Sequence, residues 1–150
     1  LVLDDGTGLE ESQLICAYLD HLDDDPQFDH PTEPEGWESR RLESLARSML
    51  DGISVWAREL ARTQEEQSPT IIAHEIARAN RMFATWEMHV SHPLMNGKFN
   101  MAQLTLAVAL NIAHKMDRLD PRSSSPTLKA WANRMANRSS LKELLPNLGR

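Results

Sequence analysis

Apolar residues recur every three or four positions over most of this 150-residue chain, which is the spacing of one face of an α-helix. The stretch near 101–117 differs, because its leucine, valine and isoleucine residues are interleaved with small alanines and leave it apolar nearly all round. Such a helix normally lies at the centre of a bundle. The pattern predicts helices near 38–64, near 69–90, near 101–117, from Ser125-Pro126 onward, and over 140–143.

Residues at the predicted helix ends support these boundaries. Pro69 follows Ser68 at a typical first-turn position. Ser140 and Glu143 have the spacing of a capping box, in which a hydroxyl and a carboxylate three residues apart each satisfy a backbone donor. Pro146 then ends the last helix, since proline cannot continue the hydrogen-bond pattern.

The first 22 residues follow a different pattern. Leu1 to Asp4 are typical of a strand, and Asp5-Gly6 of a type I′ turn, which needs positive φ at both central positions. Residues 1–10 are therefore predicted to form a β-hairpin, and residues 11–22 a helix. The predicted helix has one apolar face, formed by Leu14, Ile15, Tyr18, Leu19 and Leu22.

Glu11 and Ser12 lie where this hairpin leads into the helix. The first N–H groups of a helix have no partner within it and carry partial positive charge, so they suit a carboxylate ligand. A carboxylate and a hydroxyl at this point would form a small polar site. The simpler alternative is that the two residues only begin and cap the helix.

Residues 23–37 are predicted to be a linker, because they are rich in aspartate and proline and show no periodicity. No lysine or arginine occurs in residues 1–39, and all 16 basic residues follow them, for a net charge of −6. We interpret residues 20–35 as a solvated acidic loop. Net acidity argues against a nucleic-acid partner, whose affinity depends on neutralising phosphates.

Composition indicates one ordinary domain, or one domain with part of another. No stretch is long enough to cross a bilayer, so no membrane partner is expected. The single cysteine, Cys16, excludes an internal disulfide framework and fits the reducing cytosol. Its neighbours are apolar, which favours an inert buried thiol. The chain begins with Leu1 in what reads as mid-strand, which indicates a fragment or a processed product.

The histidines do not predict a metal centre. His89 and His92 lie three residues apart and close to Glu87, but no further matching pair completes a ligand set. We interpret them as a helix end before Pro93. No metal site is therefore predicted, beyond adventitious binding in the acidic linker.

The order of these segments resembles the glutathione transferase superfamily, in its bacterial, cytosolic form. The hairpin, Glu11-Ser12 and the helix that follows resemble the end of the family's thioredoxin-like domain, and the helical region resembles its C-terminal domain. Asn100 and Gln103 stand where the family has an N-capping box before its buried helix, and they could reproduce it. Three further segments resemble family members: Arg41-Leu-Glu-Ser-Leu-Ala, Arg58-Glu59, and Leu128-Lys-Ala-Trp131-Ala-Asn-Arg-Met135.

The resemblance implies a mainly α fold. Residues 1–22 would be the C-terminal half of a thioredoxin-like, glutathione-binding domain, 23–37 the linker, and 38–150 the all-helical bundle. It also implies that Glu11 faces the ammonium of glutathione while the Ser12 hydroxyl and N–H bind its carboxylate. Met49, Ile53 and Trp56 would border the electrophile pocket, although most of their stripe must be bundle core. The catalytic Ser, Tyr or Cys is expected upstream of Leu1, together with the first βαβ unit.

The function implied is that of a glutathione transferase, which uses glutathione as co-substrate and transfers its thiolate to a small apolar electrophile. A homodimer is expected from the family. The 150-residue chain alone is expected to be inactive without its upstream catalytic residue. The alternative is a non-catalytic, glutathione-transferase-like helical interaction module.

Overall fold

The computed structural model describes residues 1–32, 34–114, 116, 125–146 and 148. Two single 3₁₀ turns, Gln64–Glu66 and Pro93–Met95, connect helices. None of the helices in this described part is long and apolar enough to span a membrane. The α-helices are α1 (Ser12–Asp20), α2 (Glu35–Leu60), α3 (Pro69–His89), α4 (Met101–His114), α5 (Pro126–Ala136) and α6 (Ser139–Lys142).

The bundle is built around the contact between α2 and α4, and α3 also packs against α2. The predicted apolar stripe of α2 is buried, and α4 is buried almost all round, as its composition predicts. Small alanines on α4 let the two helix backbones approach closely. The largest fully buried side chains are Trp56, Trp86, Trp131 and Phe83.

The long helix α2 begins and ends earlier than predicted. It starts at Glu35, not near residue 38, so the predicted linker of 23–37 ends three residues sooner. Glu35 and Glu38 both lie in the first turn, where negative charge favours the helix dipole. The helix ends at Leu60, whose carbonyl accepts a hydrogen bond from the Gln67 amide Nε2 at 3.3 Å.

The capping box predicted in the last helix does not form. The first turn of α6 closes on the carbonyl of Arg138, which accepts from the N–H groups of Leu141 at 3.0 Å and Lys142 at 2.9 Å. Ser140 is therefore already inside the helix, and its hydroxyl is not at the cap position. The cap residue is Arg138, which makes no side-chain capping hydrogen bond.

The N-terminal segment forms less sheet than predicted. Its only assigned pairing among the described residues is an isolated antiparallel bridge between Val2 and Gly8. The turn is a three-residue loop, because the Leu3 N–H donates to the Thr7 carbonyl at 2.9 Å. Gly6 alone in this loop has positive φ, at 86°, so the expected type I′ turn at Asp5-Gly6 is wrong.

The first helix is shorter than the predicted 11–22. His21 ends it by donating its N–H to the Ala17 carbonyl, with the ring Nδ1 2.9 Å from the same oxygen. No residue of α1 is fully buried. Its apolar face is exposed within the described structure, with the largest exposed fractions at Leu14, Leu19 and the following Leu22.

Candidate functional site

Glu11, the first of the predicted site residues, has a rare backbone conformation. Its φ of 72° and ψ of 122° lie in a region that L-residues other than glycine seldom occupy. Holding a non-glycine residue there costs on the order of 1–3 kcal/mol, and such residues cluster at functional sites. The sequence could not show this strain, since glutamate is an unremarkable residue before a helix.

The same residue is the N-cap of α1. One Glu11 carboxylate oxygen accepts from the Gln13 N–H at 3.2 Å, and the Glu11 carbonyl accepts from the Ile15 N–H at 3.1 Å. Glu11 and Ser12 are both exposed. Within the described residues, the Ser12 hydroxyl has no hydrogen-bond partner. Glu11 therefore caps the helix, as the simpler alternative predicts, while the Ser12 hydroxyl can still donate to a ligand.

This arrangement suits a zwitterion. An exposed helix N-terminus attracts a carboxylate through its N–H groups and its dipole. The adjacent Glu11 carboxylate offers an acceptor to an ammonium group a few ångströms away. The structure thus places the two predicted residues side by side at one helix end, facing solvent.

The other predicted site residues are not accessible. Met49, Ile53 and Trp56 are each exposed by no more than 1%, and all belong to the hydrophobic core. They face the interior of the bundle, and no surface of theirs remains for an electrophile. The structure supports the assignment of this stripe to the bundle core.

A polar network ties the predicted linker to the bundle. His30 lies with Nδ1 2.9 Å from the Ser39 hydroxyl and Nε2 3.2 Å from a Glu43 carboxylate oxygen. The other Glu43 oxygen accepts from Arg47 Nε at 2.8 Å. Ser39 and Glu43 are buried. The expectation of a solvated loop over 20–35 is therefore wrong at His30, although Asp25 and Asp29 before it are exposed.

Sequence reasoning missed this network. The i,i+4 spacing of Glu43 and Arg47 signals an ion pair on α2, but nothing in the sequence brings His30 to it. The network borders a small cavity of about 80 Å³, which Cys16 and Asp20 of α1 also line. Cys16 is half-buried among polar as well as apolar groups, not in the apolar surroundings predicted.

The predicted cap of α4 forms in part. The Asn100 side-chain oxygen accepts from the Gln103 N–H at 3.0 Å, as predicted. Gln103 acts differently from the prediction, because its amide Nε2 donates to the carbonyls of Leu94 at 2.9 Å and Lys98 at 3.2 Å. Gln103 is nearly fully buried. It holds the preceding loop against the helix.

One cluster of potential metal ligands occurs in the described part of the chain, at Asp20, His21 and Asp29. Its groups are largely exposed and already paired. Both Asp20 oxygens accept backbone N–H groups, from Gln27 at 3.0 Å and Phe28 at 2.8 Å. Asp20 thus ties the following segment to the end of α1, and nothing in this geometry demands an ion.

The sequence is similar to glutathione S-transferase 2 of Saccharomyces cerevisiae, with 29% identity over 153 aligned positions. That alignment covers 97% of this chain and 65% of the yeast protein, so the chain spans about two thirds of its relative's length. No protein-family model matches the sequence.

Solved structures agree with this similarity. Gtt2 of Saccharomyces cerevisiae superposes with a TM-score of 0.81 at 27% identity, over 97% of this chain and 73% of that one. A glutathione transferase family member of Pseudomonas fluorescens, solved with bound S-(propanoic acid)-glutathione, gives a TM-score of 0.83 at 26% identity. That match covers 97% of this chain and 75% of the other.

The fold and the comparisons show that the chain is similar to the glutathione transferases. The resemblance predicted from the sequence is thereby confirmed. The mainly helical structure matches the C-terminal helical domain of that class. The described residues contain no β-strands, so the structure does not show the predicted thioredoxin-like hairpin.

Proposed function

We propose that this protein binds glutathione through Glu11 and Ser12 and acts as a glutathione transferase. The observation that supports this most directly is the strained backbone of Glu11 at the exposed N-terminus of α1. A cap alone does not need positive φ, because ordinary N-cap residues have extended backbone. The relatives support the choice of ligand, since one of them was solved with a glutathione conjugate.

The chemistry of glutathione fits the two residues. Its γ-glutamyl end has an ammonium and a carboxylate on one carbon atom. In the proposed complex the carboxylate accepts from the Ser12 hydroxyl and N–H, and the ammonium donates to the Glu11 carboxylate. The thiolate then attacks a small apolar electrophile. We assign the group that activates the thiol to none of the described residues.

The test is a titration of the full chain with glutathione, in which isothermal calorimetry measures the binding. Glu11→Ala and Ser12→Ala should each weaken binding about tenfold, because each removes a charge-assisted hydrogen bond. Glu10→Ala is the matched control, since Glu10 is an exposed acid next to the site and makes no capping bond. Unchanged affinity in both site variants would contradict the assignment.

A second variant separates strain from folding. Glycine adopts positive φ without steric penalty, so Glu11→Gly should relieve the backbone strain. We expect a melting temperature equal to or above that of the unmodified chain, together with weaker glutathione binding. A variant that melts lower and still binds normally would show that Glu11 is only a structural cap.

The alternative is a non-catalytic helical module. The exposed apolar face of α1, with Leu14, Leu19 and Leu22, is the feature that fits it, since such a face could dock a partner as well as the rest of a thioredoxin-like domain. If the chain does not bind glutathione, the alternative stands; absence of conjugation by the chain alone does not distinguish the two, since the catalytic residue is expected upstream of Leu1. The domain division, the homodimer and the cytoplasmic location stay predictions, and light scattering tests the dimer directly.

A further inference from the structure

A second polar pocket, to which no function has been assigned above, lies between the loop at Met95–Gly97 and helix α5. Its volume is about 160 Å³. Asn96 and Gly97 form one wall, Arg134 and Arg138 the other, and Gln103 and Trp131 the buried floor. None of the described residues lining it has a carboxylate.

Arg134 lies in the last turn of α5 and Arg138 at the N-cap of α6, and both line the same pocket. Like charges that line one pocket repel, so the pair is unfavourable unless an anion offsets it. Neither arginine has an acidic partner within ion-pair distance in the described structure. Together their guanidinium groups have about ten N–H donors, of which only one makes a hydrogen bond to a described residue.

Both guanidinium groups are nevertheless held in place. Arg134 Nη2 donates to the Asn96 side-chain oxygen at 2.7 Å. The Arg138 guanidinium stacks over the Phe99 ring, with its central carbon 4.2 Å from the ring centroid. Orientation in advance of binding lowers the entropy that a ligand would lose by ordering these side chains.

The buried floor of the pocket has no charged group, and its hydrogen-bond donors already have partners within the protein. The Trp131 indole donates to the Met95 carbonyl at 2.7 Å, and Gln103 Nε2 donates to loop carbonyls. These donors are used within the protein. Any anion bound here would therefore interact mainly with the two arginines.

We propose that this pocket binds a phosphate-type oxyanion. Two guanidinium charges match a phosphate or phosphomonoester dianion better than a singly charged carboxylate. The planar forks of arginine match the oxygen geometry of phosphate. The pocket is smaller than the roughly 300–1,000 Å³ of sites for drug-sized ligands, which fits one phosphate group.

The experiment is an NMR titration of the ¹⁵N-labelled full chain with inorganic phosphate, with ionic strength held constant by sodium chloride. The Trp131 indole N–H reports from the floor of the pocket. We expect a saturable shift with a dissociation constant of about 1 mM or tighter. A linear shift without saturation, or no shift of this resonance, would overturn the proposal.

Variants locate the binding. Arg134→Gln and Arg138→Gln should each weaken phosphate binding about tenfold. Lys129 lies on α5, like Arg134, but outside the pocket, so Lys129→Gln should leave phosphate binding unchanged. Arg138→Lys keeps the charge but removes the planar guanidinium fork, so we expect a loss of phosphate affinity smaller than that of Arg138→Gln. Equal weakening by Lys129→Gln would reveal general screening and refute a defined site.

A parallel titration with glycerol 1-phosphate distinguishes the sources of the phosphate group. Tighter binding of this ester than of inorganic phosphate would identify a phosphorylated metabolite as the ligand class. Equal affinity would identify free phosphate. Binding of neither would overturn the proposal.

Discussion

Glu87 of α3 and Leu128 of α5 are joined by a hydrogen bond of 2.8 Å, in which the Leu128 N–H donates to a carboxylate oxygen. The other oxygen accepts from the Thr127 N–H at 2.8 Å. Glu87 therefore caps the start of a helix that begins about 40 residues further along the chain. Ser125, the residue at the N-cap position, makes no side-chain capping bond of its own.

We expect Glu87→Ala to lower the free energy of unfolding by about 1–2 kcal/mol at neutral pH, because the variant removes the only side-chain cap seen at α5 in the described residues. Chemical denaturation followed by circular dichroism measures this. Glu65→Ala is the control, since Glu65 is an exposed acid in a 3₁₀ turn. A loss no larger than that of the control would show that the cap contributes little.

The effect of Glu87 should depend on pH. Burial acts to raise the pKa of the Glu87 carboxyl, but the hydrogen bonds from Thr127 and Leu128 outweigh it and lower the pKa below the ordinary 4.5. Because the Glu87 pKa is lower in the folded than in the unfolded state, the ionised carboxyl stabilises the fold at pH values above the unfolded pKa. This stabilisation is lost as the pH falls through the folded pKa. The stability difference between the unmodified chain and Glu87→Gln should shrink steadily below about pH 4.5. A difference independent of pH would contradict this.

Two glutamate–arginine pairs on α2 should differ in importance. Glu43 and Arg47 have side chains exposed by 5% and 19%, whereas Glu38 and Arg41 are exposed by 34% and 47%. Glu43→Ala should destabilise the chain by about 3 kcal/mol, since it leaves a partly buried guanidinium unpaired. Glu38→Ala should change stability by less than about 1 kcal/mol. Urea denaturation of both variants compares them, and equal losses would refute the distinction.

Side chains of α3 pack tightly against Gly52 of α2. A Cβ atom there would lie 2.8 Å from a Glu75 carboxylate oxygen and 3.0 Å from the Arg78 guanidinium carbon. Arg78 also donates to the Ser48 carbonyl at 2.6 Å. Gly52→Leu should therefore destabilise the chain by about 1–3 kcal/mol through overpacking. Asp51→Leu, at the exposed neighbouring position, is the control, and a melting temperature equal for both would contradict the prediction.

The cap of α4 can be tested by replacing Asn100. Asn100→Ala should lower the melting temperature by about 2–4 °C, which corresponds to the loss of roughly 1 kcal/mol for one N-cap. Asn100→Asp keeps an acceptor for the Gln103 N–H and should lose less, although it gives up the amide donation to Leu94 at 2.7 Å. Differential scanning calorimetry of both variants decides. A larger loss for aspartate than for alanine would show that the donation to Leu94 is the stronger contribution.

The sequence determined the helices of this protein, because their apolar periodicity is strong and local. The stripe of α2, the nearly all-apolar α4 and the turn around Pro93 all occur where the pattern predicts them. The Glu11-Ser12 pair could also be found from the sequence, since a helix start creates unpaired N–H groups whatever the rest of the fold. Helix ends were less certain, as the early start at Glu35 shows.

Only the tertiary structure decided which polar residues meet across the chain. His30 with Glu43, Glu87 with the start of α5, and Arg134 with Asn96 are joined by helix packing, over separations that no local pattern records. The positive φ of Glu11 and the burial of Met49, Ile53 and Trp56 were decided in the same way. Backbone strain persists only where surrounding contacts hold it, and burial depends on which helices cover a given face.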